Sequence, residues 1–130
     1  MHLMNKGSSF IHLFRFTILI ATVIVILSLM PGSSLPGISW GDMVSLDKWA
    51  HFIMYGSLSF VWAYEWRSSN ASRKWKRYVL ILTATAVFGV MLESFQLVLN
   101  SERYFEVLDI IANIIGSMAG LTALHWLIKK

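Results

Sequence analysis

The sequence predicts an all-α integral membrane protein, a bundle of four transmembrane helices with both termini in the cytoplasm. Apolar residues make up 56% of the 130 residues and charged residues only 14%, below the roughly 25% typical of soluble domains. The apolar residues fall into four runs separated by polar segments. Basic residues are concentrated in alternate connections between these runs, which is typical of cytoplasmic loops in membrane proteins.

The first apolar run covers residues 16–30, and its extension back to residue 10 gives a span close to the roughly 20 residues that a membrane-spanning helix needs. A basic start before an apolar segment is also typical of a cleaved signal peptide. No A-x-A-like cleavage site follows, so we expect the first helix to be retained. Residues 31–46 contain both prolines and three glycines and are expected to form a loop.

The second run covers residues 47–66, the third residues 78–99 and the fourth residues 108–128. Residues 67–77 form a polar, basic connection. In a four-span arrangement, nine of the eleven basic residues lie on one side: Lys6, Arg15, Arg67, Arg73, Lys74, Lys76, Arg77, Lys129 and Lys130. The positive-inside rule makes that side cytoplasmic. We therefore expect residues 1–130 to form a single domain in the inner (cytoplasmic) membrane, without a nucleic-acid partner.

Polar side chains occur on three predicted helices at one depth, near the outer surface of the membrane. A charged side chain facing lipid costs about 2.5–3.5 kcal/mol at the bilayer centre and less near the surface. We therefore expect these groups to face one another in a pocket open to the extracytoplasmic side. The alternative is that they only hold the helices together, at about 0.6 kcal/mol per hydrogen bond. The residues on the helices are Asp47, Lys48, His51, Tyr55, Glu93, Gln96, Asp109 and Asn113, and Arg103 lies in the connection before the fourth helix. We expect Lys48 and Arg103 to pair with Glu93, Glu106 and Asp109, so that these acids hold the two cations in place.

These residues carry a resemblance to the VanZ-like family. The segment DKWAHFIMYGSL resembles the family's D-K-x-x-H-x-x-x-Y-G-x-L, ESFQ resembles its E-x-x-Q, and RYFEVLDIIANIIG resembles its R-x5-D-x3-N-x2-G. The resemblance covers residues 47–120 and includes Gly116. It implies a small bacterial membrane protein from a family named after a member linked to teicoplanin resistance. One departure lies just before Arg103, where the family commonly has a turn with proline or glycine and this chain has the segment NSER.

Three functions are compatible with the predicted pocket. We expect binding of an anionic membrane lipid or lipid-linked cell-wall precursor, in which Lys48 and Arg103 supply charge-assisted hydrogen bonds. Such binding would affect sensitivity to teicoplanin-type glycopeptides. The first alternative is an enzyme that acts on a lipid-linked envelope substrate, with His51 and Glu93 as the acid and base. The second is a structural accessory protein.

Cofactors and a metal ion are not expected from the sequence. There is no cysteine, and one motif histidine with scattered carboxylates is a poor zinc signature. The sequence also lacks the G-x-S-x-G and H-E-x-x-H motifs. Gly116 and Gly120 form a small-xxx-small pattern that allows close helix packing. We expect this packing within the bundle, with a homo-oligomer as the alternative.

Overall fold

The computed structural model describes residues 13–30, 40–67, 73–99 and 105–129. Within these ranges the chain forms helices and no strands, so the all-α prediction is confirmed. The helices of the described part are α1 (Arg15–Leu29), α2 (Trp40–Glu65), α3 (Lys74–Leu99) and α4 (Val107–Ile128). The predicted start of the fourth helix differs from the observed start by a single residue.

Two helices begin earlier than the sequence predicted. Helix α2 begins at Trp40, so the prediction of a loop was wrong for residues 40–46. Both prolines precede Trp40, and the single Gly41 costs only about 1 kcal/mol in a helix interior. Helix α3 begins at Lys74 rather than Tyr78. Its first turn is rich in lysine and arginine, which are good helix formers even though they lie outside an apolar run.

Helices α3 and α4 are each long and apolar enough to cross a membrane. Helix α1 is apolar but has 15 residues, and α2 carries four of the nine side chains of the predicted pocket. Large apolar side chains on the outside of the bundle are exposed, as expected for a surface that contacts lipid rather than water. They include Leu19, Ile26, Val79, Val87, Phe95 and Trp126. These features indicate a membrane protein, and membrane crossing by all four helices stays a prediction.

Small residues bring α2 and α4 into direct backbone contact. A side chain at Gly116 would collide with the backbone carbonyl of Phe52, and one at Gly120 would collide with the carbonyl of Gly56. The Ser59 hydroxyl also donates to the backbone carbonyl of Ser117 on α4, at 2.9 Å. The glycine face of α4 is thus used within the bundle, which favours the packing interpretation over a homo-oligomer through the same glycines.

Helix α1 is attached to the bundle by a polar contact at each end. Near its start, the Glu65 carboxylate accepts hydrogen bonds from the backbone N–H groups of Phe16 and Thr17, both at 3.0 Å. The Thr17 hydroxyl donates to the same carboxylate at 2.6 Å. Near the other end, the Gln96 amide of α3 donates to the backbone carbonyl of Ser28. These bonds make α1 an integral layer of the bundle.

Candidate functional site

Polar side chains from α2 and α4 meet at the end of the bundle where both helices have their N-terminal turns. His51 lies between two carboxylates, with its Nε2 atom 3.8 Å from Asp47 Oδ1 and 3.8 Å from Asp109 Oδ2. Its other ring nitrogen, Nδ1, is 2.9 Å from Asn113 Oδ1. An amide oxygen can only accept a hydrogen bond, so Nδ1 carries a proton. In the neutral ring, the lone pair of Nε2 then faces the two carboxylates.

Local helix geometry explains this convergence. Asp47 and His51 are four residues apart on α2, and Asp109 and Asn113 are four residues apart on α4, so each pair shares one helix face. The close approach at Gly116 brings these two faces together. The sequence-based expectation that these residues share one layer therefore agrees with their placement.

Lys48 links this group to the start of α4. Its ammonium lies 2.8 Å from Glu106 Oε2 and 3.4 Å from Asp109 Oδ1. The backbone N–H of Glu106 donates to Glu93 Oε1 of α3, at 2.9 Å. Glu106 is the N-cap residue of α4 and makes no side-chain cap bond. Glu93 therefore ties the beginning of α4 to α3. We call the whole set the polar cluster: Asp47, Lys48, His51, Glu93, Glu106, Asp109 and Asn113.

Exposure within the polar cluster changes from the surface inwards. Asp109 and Asn113 are 3% and 2% exposed. The side chains of Asp47 and Glu106 are 39% and 41% exposed, and that of Lys48 is 24% exposed. The described residues of the cluster are therefore packed between the helices, with their more exposed groups on one side. Its accessible edge is formed by the first turn of α4 and the part of α2 beside it.

Two residues of the predicted site lie outside the polar cluster. Tyr55 is 1% exposed and stacks beneath His51, with 6.3 Å between ring centroids. It belongs to the apolar core that also contains Ile24. Gln96 is engaged with the backbone of α1 through its bond to Ser28. Arg103 lies outside the described residues.

The described part of the polar cluster is rich in negative charge. It contains the carboxylates of Asp47, Glu93, Glu106 and Asp109, whereas Lys48 is its only ammonium group among the residues that the structure describes. Lys48 is already paired with two of these acids. The pairing of Lys48 with Glu106 and Asp109 agrees with the expectation from the sequence that these acids hold the cation in place.

The polar cluster also brings together atoms that are suitable as metal ligands. One atom each from Asp47, His51 and Asp109 lie within 4.8 Å of one another. The sequence analysis did not expect a metal because only one histidine was present in the motif, and that expectation stays untested. The positions of Asp47 and Asp109 along their helices did not show that both carboxylates would lie near Nε2 of His51.

Sequence comparison adds a family assignment to this geometry. The sequence model of the family described as VanZ/LLP1 matches residues 3–128. The match covers nearly the whole chain, including all four helices and every residue of the polar cluster. No curated protein and no solved structure was found to match the chain.

Proposed function

The chain belongs to the VanZ/LLP1 family, and on this premise we propose that it binds an anionic cell-envelope lipid or lipid-linked cell-wall precursor. The binding site is the accessible edge of the polar cluster. In this proposal all four helices cross the cytoplasmic membrane, both termini lie in the cytoplasm, and the polar cluster faces the outside. Occupancy of the site alters sensitivity to teicoplanin-type glycopeptides.

The observation that carries the proposal is the position of Lys48 at this edge. Its side chain is partly exposed and is fixed by two carboxylates, Glu106 and Asp109. An ammonium group has three hydrogen-bond donors, so a third N–H can point towards a phosphate oxygen at the membrane surface. The two acids hold the cation in place and thereby reduce the entropy lost when a ligand binds.

Arg103 is proposed as the second cation of the site on the basis of the sequence alone. It stands three residues before Glu106, and a guanidinium can form two parallel hydrogen bonds with a phosphate. Arg103→Lys keeps the charge but loses this bidentate geometry. We expect that variant to insert normally and to lose the effect on glycopeptide sensitivity.

Lipid binding can be tested with the purified chain in nanodiscs of phosphatidylcholine, to which phosphatidylglycerol or a polyprenyl phosphate is added. Lys48→Met should weaken binding of the anionic lipid about tenfold, equivalent to about 1.4 kcal/mol. Lys48→Arg should retain most of the binding because it keeps a cation at the site. Lys76→Met is the matched control, since it removes one lysine from the opposite end of the bundle. Equal losses for Lys48→Met and Lys76→Met would show non-specific attraction and refute the proposal.

The orientation of the site has its own test. The chain contains no cysteine, so single cysteines report on one position each. We expect Pro36→Cys to react with a membrane-impermeant maleimide on intact cells and Asn70→Cys to be protected. The reverse pattern would place the polar cluster at the cytoplasmic face and exclude an envelope ligand from outside.

An enzyme is the second candidate, and the state of His51 favours it. The imidazole is buried and its Nδ1 is hydrogen-bonded to Asn113, so Nε2 is the ring nitrogen left to accept a proton, as a general base requires. Its acidic neighbours are Asp47 and Asp109, whereas Glu93 binds the backbone of α4. Turnover of a polyprenyl phosphate that His51→Gln abolishes would support this candidate. Unchanged substrate after long incubation with the wild-type protein would count against it.

A further inference from the structure

We propose that Asp47, His51 and Asp109 form a binding site for a divalent transition-metal ion. The three groups come from two helices and present one nitrogen and two carboxylate oxygens to a common point. This inference does not depend on the lipid-binding function proposed above. It concerns the groups around His51 Nε2, whereas the lipid proposal concerns Lys48.

The spacing of the three groups fits a shared ion better than direct bonds among them. His51 Nε2 lies 3.8 Å from an oxygen of each carboxylate, beyond the 2.7–3.2 Å of ordinary hydrogen bonds to nitrogen. With metal–ligand bonds of about 2.0–2.2 Å, two ligand atoms at a tetrahedral angle lie about 3.4 Å apart. The observed spread of up to 4.8 Å therefore requires only small side-chain rotations to coordinate one ion.

The surroundings of the three groups resemble the outer shell of a metal site. A histidine that binds metal usually donates its other ring N–H to an oxygen, which fixes the ring orientation. Here Asn113 accepts that bond from His51 at 2.9 Å, and both side chains are at least nine-tenths buried. Lys48 contacts Oδ1 of Asp109, so Oδ2 is the oxygen that faces the histidine.

Gly89 of α3 makes room for this arrangement. A side chain at Gly89 would lie 2.6 Å from Asn113 Nδ2 and 3.4 Å from the ring of Tyr55. The absence of a side chain there lets Asn113 reach the histidine. The outer shell is thus built from α2, α3 and α4 together.

Charge and ligand type indicate the class of ion. The carboxylates of the polar cluster outnumber its ammonium groups among the described residues, so a divalent cation relieves their mutual repulsion. Imidazole and carboxylate ligands suit Zn²⁺, Mn²⁺ and Fe²⁺ better than Cu⁺, which prefers sulfur. Three protein ligands leave a coordination position open. Because Asp47 is half-exposed, that position can face the accessible edge and receive an oxygen atom of an anionic ligand.

Metal binding can be measured on the chain purified in detergent without a polyhistidine tag. After dialysis against EDTA, the protein is titrated with ZnCl₂ by calorimetry and with CoCl₂ by visible absorption. We expect stoichiometric binding with a Co²⁺ spectrum that reports nitrogen and oxygen ligands. His51→Gln and Asp109→Asn should abolish it, and Asn113→Ala should weaken it about 10–100-fold, as is common for residues that orient a ligand.

Two controls keep the result interpretable. Asp47→Asn changes a partly exposed ligand, so this variant should fold normally and still lose most metal affinity. His125→Gln removes a histidine at the opposite end of the bundle and should leave the titration unchanged. Wild-type affinity in Asp47→Asn and His51→Gln, or no Zn²⁺ binding by the wild type, would overturn the metal site. The titrations contain no anionic lipid, so neither a positive nor a negative result for metal binding decides whether the chain binds lipid.

Discussion

The two ends of the bundle each place a carboxylate between helices, but the two carboxylates are satisfied in different ways. Glu65 accepts three hydrogen bonds of 2.6–3.0 Å from α1, one of them from the Thr17 hydroxyl. Asp109 is 3% exposed, and its neighbours are the Lys48 ammonium at 3.4 Å and His51 Nε2 at 3.8 Å. Glu65 is therefore saturated by the chain itself, whereas Asp109 is held by longer contacts.

This difference separates two uses of polar groups in a membrane protein. The bonds of Glu65 satisfy backbone N–H groups at the start of α1 that have no partner within the helix. A negative charge there is also stabilised by the helix dipole, by about 0.3–1 kcal/mol. Glu65 has a complete structural explanation. The described part of the polar cluster contains four carboxylates and one ammonium group, and ionisable groups inside a membrane protein are characteristic of a functional site.

The largest expected effect is obtained by separating α2 from α4, because their close contact brings the two polar helix faces of the cluster together. Gly116→Leu places a side chain against the backbone of Phe52, which cannot move aside as a side chain would. Overpacking of this kind typically costs about 1–3 kcal/mol and more when backbone is displaced. We expect little folded protein in size-exclusion chromatography after detergent extraction. Ala119→Leu is the matched control because Ala119 is exposed on the same helix. Normal behaviour of Gly116→Leu would show that the helices pack differently.

The same contact explains how much of the structure the sequence could predict. The four apolar runs and the i, i+4 spacing on α2 and α4 were sufficient to identify the helices and the convergence of His51, Asp109 and Asn113. The position of a residue along its helix can be read from the sequence. The rotation of the helix about its own axis, which decides what that residue contacts, depends on which helix faces pack together. Gln96 was therefore placed at the correct depth, yet its partner is the backbone of α1.

Glu65 illustrates the same limit at the other end. The sequence analysis assigned it no partner, because its partners on α1 are 48 and 49 residues away and no local pattern connects them. The early start of α2 was missed for a different reason. The loop over residues 31–46 was predicted from two prolines and three glycines, but only Gly41 of these lies within α2.

An intermediate effect is expected at Glu65. Glu65→Ala leaves two backbone N–H groups and the Thr17 hydroxyl without their acceptor, and loss of a helix cap costs about 0.5–2 kcal/mol. We expect a lower thermal unfolding temperature in detergent and faster hydrogen exchange in the first turn of α1. Glu65→Gln keeps one oxygen acceptor and should lose less. Neither variant should alter Zn²⁺ or lipid binding, which both belong to the opposite end. Loss of ligand binding in Glu65→Ala would mean that the two ends are coupled.

The smallest effect on stability, and the sharpest test of the comparison, is expected at Asp47. Its side chain is 39% exposed, and its ion-pair distance to His51 is 3.8 Å, so it contributes little to holding α2 against α4. Substitutions at such positions usually change stability by about 0.5 kcal/mol or less. We therefore expect Asp47→Asn to unfold at nearly the wild-type temperature while it loses metal binding. Asp47→Asn could instead be destabilised as strongly as Glu65→Ala, and its metal binding could fall only as far as its folded fraction falls. In that case both ends of the bundle would have the same structural role. The acids of the polar cluster would then serve to hold the helices together, as Glu65 does.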